Sequence, residues 1–150
     1  MAEPAWLAGR RAAALATYTG LPVPSVRDEA WRFTNLRGWD PDSHPQVPST
    51  PALSAPDLPD GVVFSRLATA VGEHPELIER WLGTVVSDGE KFAAGNAAHW
   101  DDGVLLHVPA GVRLETPLRA VLDVAEQGSA LYHRVLVVLE RDAHAVFIEE

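Results

Sequence analysis

Six histidines and twenty-one carboxylates are the groups of this 150-residue chain that could hold a metal or move a proton. His107, His133 and His144 fall in stretches that read as strands. A cupin-type metal centre needs a His-x-His pair with a carboxylate a few residues on, because a divalent ion wants several N and O donors converging on one point. No His-x-His occurs, and the nearest acid after His107 is Glu115, across a turn. The histidines are therefore read as surface or packed residues, and the sharper idea that His107 and His133 share a metal has only their strand placement behind it. Ser65, Ser87 and Ser129 lack a nucleophile-elbow context, and neither a P-loop nor a dinucleotide fingerprint is present. There are no cysteines, which excludes disulfides, thiolate zinc sites and Cys-ligated iron–sulfur clusters held by this chain alone. No catalytic, cofactor-binding or metal-ligating residue is singled out, and the chain is read as non-enzymatic.

The charge balance narrows the partners. The net charge is −9, against the basic face that nucleic acid or anionic lipid demands. Residues 1–50 carry five basic and five acidic side chains, residues 51–100 three and seven, and residues 101–150 four and nine. The acidic end is thus the strand-rich end. The N-terminus shows no secretory signal, since Glu3 and Arg10-Arg11 break its Ala/Leu segment. Apolar runs are too short to span a bilayer. Absence of cysteine fits a reducing compartment, and a cytoplasmic location is expected.

Four regions would carry these groups. Residues 1–40 read as an N-terminal helical region. Pro4 to Tyr18 forms a helix, with Leu7, Ala14, Leu15 and Tyr18 as its apolar stripe and Gly20 and Pro22 as its stop. Ser25, with Asp28 and Glu29 behind it, resembles the N-cap of a second helix. Trp31, Phe33, Leu36 and Trp39 cluster there, either as a docking platform or, as the reading preferred here, as a small core. Residues 41–61 hold six of the twelve prolines and read as an irregular linker, since each Pro removes a ladder donor.

Residues 62–101 read as a helix-rich middle. A short strand at Gly61–Phe64 precedes helices over Arg66–Val71, Pro75–Leu82 and Lys91–His99. In the second, Leu77, Ile78, Trp81 and Leu82 share a face, and Glu76 and Arg80 stand at pairing distance in sequence. The third is rich in small residues and suited to close packing on a sheet.

From residue 102 the period falls from 3.6 to 2. Strands are expected at Val104–Val108, Leu118–Val124, His133–Leu139 and Ala145–Glu149, their starts 14, 15 and 12 residues apart. That spacing leaves no room for crossover helices. Connections such as Ala125–Ser129 and Glu140–Ala143 lack a two-residue hairpin signature. They suit coils of a parallel β-helix or hairpins of a small β-sandwich, and spacing leaves the two open. It is too long for a hexapeptide-repeat acyltransferase.

Four segments carry a resemblance. Glu29-Ala30-Trp31-Arg32-Phe33-Thr34-Asn35-Leu36 is similar to an E-x-W-R-[YF]-T-x-L element. Lys91-Phe92-Ala93-Ala94-Gly95-Asn96-Ala97-Ala98 resembles a segment placed just before a β core. Asp102 to Val112, with Pro117-Leu118, resembles the first strand of that core, and Val135 to Glu150 one of its first full coils. In this order they resemble the SufB/SufD family of iron–sulfur cluster assembly proteins, most of all the N-terminal portion of its SufD members. The resemblance implies an α+β chain: an N-terminal helical region, then the first coils of a right-handed parallel β-helix over residues 102–150. It implies a scaffold subunit of a SufBCD-type complex, working with a SufB-like subunit and the SufC-like ATPase. The cluster would be handled by the full complex, with no cofactor bound by this chain.

Three functional classes then compete: an assembly scaffold, a small-molecule-binding β-sandwich or cupin-like module, and an enzyme with an unrecognised site. The scaffold reading is preferred. The chain reads as stopping in mid-pattern at Glu150, which predicts an open β edge that self-associates or is capped by a helix.

Overall fold

The computed structural model describes residues 3–124 and 127–150. Helix α1 (Ala5–Gly20) begins behind Pro4 and buries Leu7, Ala14 and Tyr18. Leu15, expected on the same stripe, is exposed, because the neighbouring helix touches a narrower arc.

The segment after α1 departs from the expected second helix. Residues 25–36 contain one short 3₁₀ turn, Glu29–Trp31. The Asp28 carboxylate accepts from the Ser25 N–H at 2.7 Å and the Ser25 hydroxyl accepts from the Arg27 N–H at 3.2 Å, so the two side chains close a local turn that no α-helix continues. The expected aromatic core splits as well. Trp31 and Trp39 pack on Phe92, with ring centroids 5.1 and 5.7 Å away, whereas Phe33 is 88% exposed and meets only the Arg32 guanidinium.

The proline-rich stretch is not irregular throughout. Strands β1 (Gln46–Val47) and β2 (Ala52–Ser54) fit into the gaps between Pro45, Pro48, Pro51 and Pro56. Each pairs on one side only, which short segments with intact N–H groups can do at a sheet edge. Strand β3 (Val63–Arg66) runs directly into α2 (Leu67–Glu73), and α3 (Pro75–Trp81) follows with Pro75 in its first turn. Within α3, Arg80 lies over the Trp81 ring at 4.9 Å and forms no ion pair with Glu76 among the described residues.

Helix α4 (Lys91–His99) has the expected bounds, but its small residues receive chiefly α1. A Cβ on Gly95 would lie 2.9 Å from the Tyr18 ring, so only glycine lets that ring settle on the helix. The buried Lys91 Nζ donates to the Tyr18 carbonyl at 2.8 Å, compensating the C-terminal end of α1.

The remaining strands are β4 (Asp102–Val108), β5 (Leu118–Val121), β6 (Ala130–Leu131), β7 (His133–Leu139) and β8 (Phe147–Glu149). Consecutive strands sit in different sheets. β7 returns parallel to β4, with Asp102 opposite His133 through to Val108 opposite Leu139. β8 returns parallel to β5, with Leu118 opposite Phe147, and a parallel bridge joins Arg113 to His144. Each partner thus lies 29 to 31 residues further along the chain. β1 pairs parallel with β6 in a third sheet. Ala125 and Glu126, expected in a turn between strands, lie outside the described residues.

Residue parity along β4 decides two cores. Leu105 faces the helices, joining Leu7, Leu67, Ile78, Leu82 and Trp100. Leu106 and Val108 face the space between the sheets with Leu114 and Leu118, against Phe64 and Phe147. A strand buried on both faces reads as a continuous apolar run, as Val104-Leu105-Leu106 does.

Asp102 locks helices to strands. It is 2% exposed. Its Oδ1 accepts the N–H groups of Ala68 at 2.9 Å and Gly103 at 2.7 Å, while the Arg66 guanidinium holds Oδ2. One of the orphan donors of α2, the Ala68 N–H, is therefore capped from β4, a tertiary N-cap.

Candidate functional site

Strand register settles where the three strand-region histidines go. His107 is opposite Val138, and His133 is opposite Asp102. Five residue steps separate them along the β4–β7 ladder, roughly 16 Å, and their opposite parity puts them on opposite faces. They cannot share an ion. His144 sits at the isolated bridge with Arg113. Among the described residues no group of three or more His, Asp or Glu side chains could hold a metal.

Each of the first two histidines has a carboxylate that sequence proximity does not indicate. His107 Nε2 lies 3.0 Å from Glu140 Oε1, not near Glu115, because the β4–β7 register carries the end of β7 past it. Glu140 Oε2 accepts the Ala110 N–H at 3.1 Å. The His107 hydrogen bond, then the Ala110 N–H, hold the Glu140 carboxyl below its usual range.

His133 meets Ser49 and Glu149. Ser49 Oγ is 2.8 Å from His133 Nδ1, and His133 Nε2 is 3.0 Å from Glu149 Oε1. The second contact has ion-pair distance without hydrogen-bond alignment. The Asp101 carboxylate accepts the Ser49 N–H at 3.0 and 3.1 Å. A serine, an imidazole and a carboxylate in line resemble a nucleophile with its base. Ser49 is 1% exposed, however, so its hydroxyl has no open face on which a substrate could sit. The arrangement ties the stretch between β1 and β2 to β7 and β8. No local motif betrays it, since its members come from three distant segments; Ser65, Ser87 and Ser129 are elsewhere.

The surface that stands out is an edge. β3 covers one side of β4, and β2 covers one side of β5. On the far side of each sheet β7 and β8 have no strand partner among the described residues. A groove of about 830 Å³ follows β7, with residues 134–141 along one side and residues 80–86 along the other. Its apolar groups are exposed: Trp81, Val86, Val137 and Leu139, with Val85 at 94%. Unpaired strand N–H and C=O groups beside exposed apolar side chains form a template for another strand. The groove also carries charge, in Arg134 at the start of β7 and in Glu140 and Arg141 just past its end.

Residues 48–120, running from just before β2 through β5, match the family described as SufBD protein N-terminal region. The iron–sulfur cluster assembly protein SufD of Bacillus subtilis (strain 168) is 29% identical over an alignment 181 positions long, gaps included, covering 98% of this chain and 41% of that protein. The iron–sulfur cluster assembly protein SufB of the same organism is 31% identical over 90 residues, covering 59% of this chain and 19% of that protein. An iron–sulfur cluster assembly SufBD family protein of Mycobacterium tuberculosis (strain ATCC 25618 / H37Rv) is 31% identical over 90 residues, covering 59% of this chain and 11% of that protein. The chain spans 41% or less of the length of these relatives. With the matched segment holding every buried residue of the two cores except Leu7, and the similarity to SufD running along nearly the whole length, this chain belongs to the SufB/SufD family.

Proposed function

We propose that this chain is the N-terminal part of a SufD-type scaffold subunit of a SUF iron–sulfur cluster assembly complex, with no catalytic role of its own. The observation that carries this reading is the extent of the similarity to SufD, 98% of the chain, where SufB matches 59%. The strand pairing supports it. Partners 29 to 31 residues apart, all parallel, are what successive coils of a parallel β-helix produce, whereas a β-sandwich is built chiefly from antiparallel pairs. The open β7–β8 edge is then the seat of the next coil, a reading favoured by the greater length of the SufD relative. The iron–sulfur cluster is cargo of the full complex, which acts in the cytoplasm with a SufB-like subunit and a SufC-like ATPase.

Co-expression of the full-length protein with the SufB-like and SufC-like proteins of its own organism tests the proposal. The three should co-elute in size-exclusion chromatography, and removing the gene should impair maturation of iron–sulfur enzymes. A full-length protein that elutes alone and whose loss leaves those enzymes active would refute it.

A further inference from the structure

A second concave surface lies away from the β7 groove, where α1, α4 and the 39–44 turn meet β6. A cavity of about 430 Å³ is walled there by Tyr18, Trp39, His44, Phe92 and Tyr132, with Asn96 beside them. That volume suits a small ligand or a single large side chain. Trp39 is 43% exposed and backed by Phe92, its centroid 5.7 Å away, with the His44 ring at 6.4 Å. Trp31 supports Phe92 from behind at 5.1 Å. The rings are therefore held by one another, leaving Trp39 partly open.

The polar groups around this box are mostly acceptors. His44 Nδ1 lies 3.1 Å from the Gly128 carbonyl, which only accepts, so the neutral ring carries its proton on Nδ1 and presents Nε2 as an acceptor. Asn96 donates Nδ2 to the His133 carbonyl at 2.9 Å, leaving its Oδ1 without a partner among the described residues. Asp42 accepts the Tyr18 hydroxyl at 2.6 Å through Oδ1. Burial first, and the Asp42 carboxylate after it, push both the Tyr18 and the Tyr132 phenols upward, so that carboxylate acts on both walls. Neither Asp40 nor Asp42 forms an ion pair among the described residues. Lys91 occupies one face of Tyr18, its Nζ 3.8 Å from the centroid and bonded to the Tyr18 carbonyl, while Phe92 is packed by Trp31 and Trp39 and Tyr132 by the His99 ring at 5.2 Å, which leaves the partly exposed Trp39 as the open ring.

We propose that this cavity is a binding site for a guanidinium group. The planar cation stacks on Trp39 and turns its N–H groups toward His44 Nε2 and Asn96 Oδ1, drawn by the charge of the Asp42 carboxylate, which stands behind the Tyr18 hydroxyl. A neutral aromatic ligand would leave those acceptors unpaired, and an ammonium offers three donors in a cone where the guanidinium spreads five in a plane. Electron-rich rings beside an unneutralised carboxylate supply the attraction for the cation. The chemistry is that of an arginine side chain, carried either by a partner protein or by a free small molecule.

Titration of the ¹⁵N-labelled chain, read at the Trp39 indole N–H, tests this. The probes are methylguanidinium, free L-arginine, N-acetyl-arginine methylamide and p-cresol. Saturable shifts are expected with the guanidinium compounds and none with p-cresol. Tighter binding of the blocked arginine points to a partner's side chain, and tighter binding of free arginine to a small molecule. Asp42→Asn keeps an acceptor for Tyr18 but removes the charge, and should weaken binding by about tenfold. Trp39→Ala, at a half-exposed ring, removes that reporter, so its binding is followed by isothermal titration calorimetry; it should abolish binding while leaving the circular dichroism spectrum unchanged. Equal affinity for p-cresol, an unmoved Trp39 indole, or unaltered binding by Asp42→Asn would overturn the assignment.

Discussion

Replacing Asp102 by Ala should destabilise the chain more than any other single polar substitution on β4. The carboxylate is buried and serves three partners: the Ala68 and Gly103 N–H groups and the Arg66 guanidinium. Orphaning a buried N–H costs about 1–3 kcal/mol, and losing a helix cap about 0.5–2 kcal/mol. The Arg66 side chain is half exposed, so its ion pair adds little once solvent screening is allowed for. The Gly103 N–H is buried as well and falls under the same cost of orphaning a donor. A total of about 3 kcal/mol follows, centred on the cap of α2. Asp102→Asn keeps an oxygen for both N–H groups and should cost about 1–1.5 kcal/mol, the difference between a charged and a neutral acceptor. Urea unfolding followed by tryptophan fluorescence and by far-ultraviolet circular dichroism measures both, with an unchanged m-value expected. If Asn proves as costly as Ala, the ion pair and not the cap holds the junction, and the reasoning fails.

Three more outcomes can be checked. Sedimentation velocity across a concentration series should show the chain self-associating through the β7 edge, and Val137→Lys, which places a charge on that edge, should return it to monomer; a wild-type monomer throughout would contradict this. Tyr18 ionises above its ordinary value of 10.0 when folded, so stability is constant below pH 10 and declines above it, by up to about 1.4 kcal/mol per pH unit for this group. Tyr18→Phe should flatten that alkaline decline in denaturation curves, with a residual slope from Tyr132. Gly95→Ala drives a methyl group into the Tyr18 ring and should cost about 1–3 kcal/mol in the same assay, whereas Gly20→Ala, with open space around it, should cost far less.

Much of the local structure was legible in the chain alone. Helix α4 and strand β7 have the expected bounds, and α1 lies within two residues of its expected ends, because caps, prolines and apolar periodicity act over a few residues. The same local logic misread Ser25–Leu36. The cap bonds do form there, Asp28 back to the Ser25 N–H and the Arg27 N–H to the Ser25 hydroxyl, but they close a turn that no helix continues, since a cap alone does not stabilise a helix that lacks packing. It also missed β1 and β2, because a two- or three-residue strand between prolines has no pattern of its own and exists only when a partner strand arrives.

The absence of cysteine, the acidic balance and the change of period at residue 102 are properties of the sequence that narrow the chemistry and the fold class, and the resemblance to the family is carried by the order of the four motifs alone. Which histidine meets which carboxylate, why Ser49 and Glu149 converge on His133, and how Tyr18, Trp39 and Phe92 form one box depend on register and helix docking. Those are set by long-range pairing across 29 to 31 residues and by the close approach that Gly95 permits, so only the folded chain decides them.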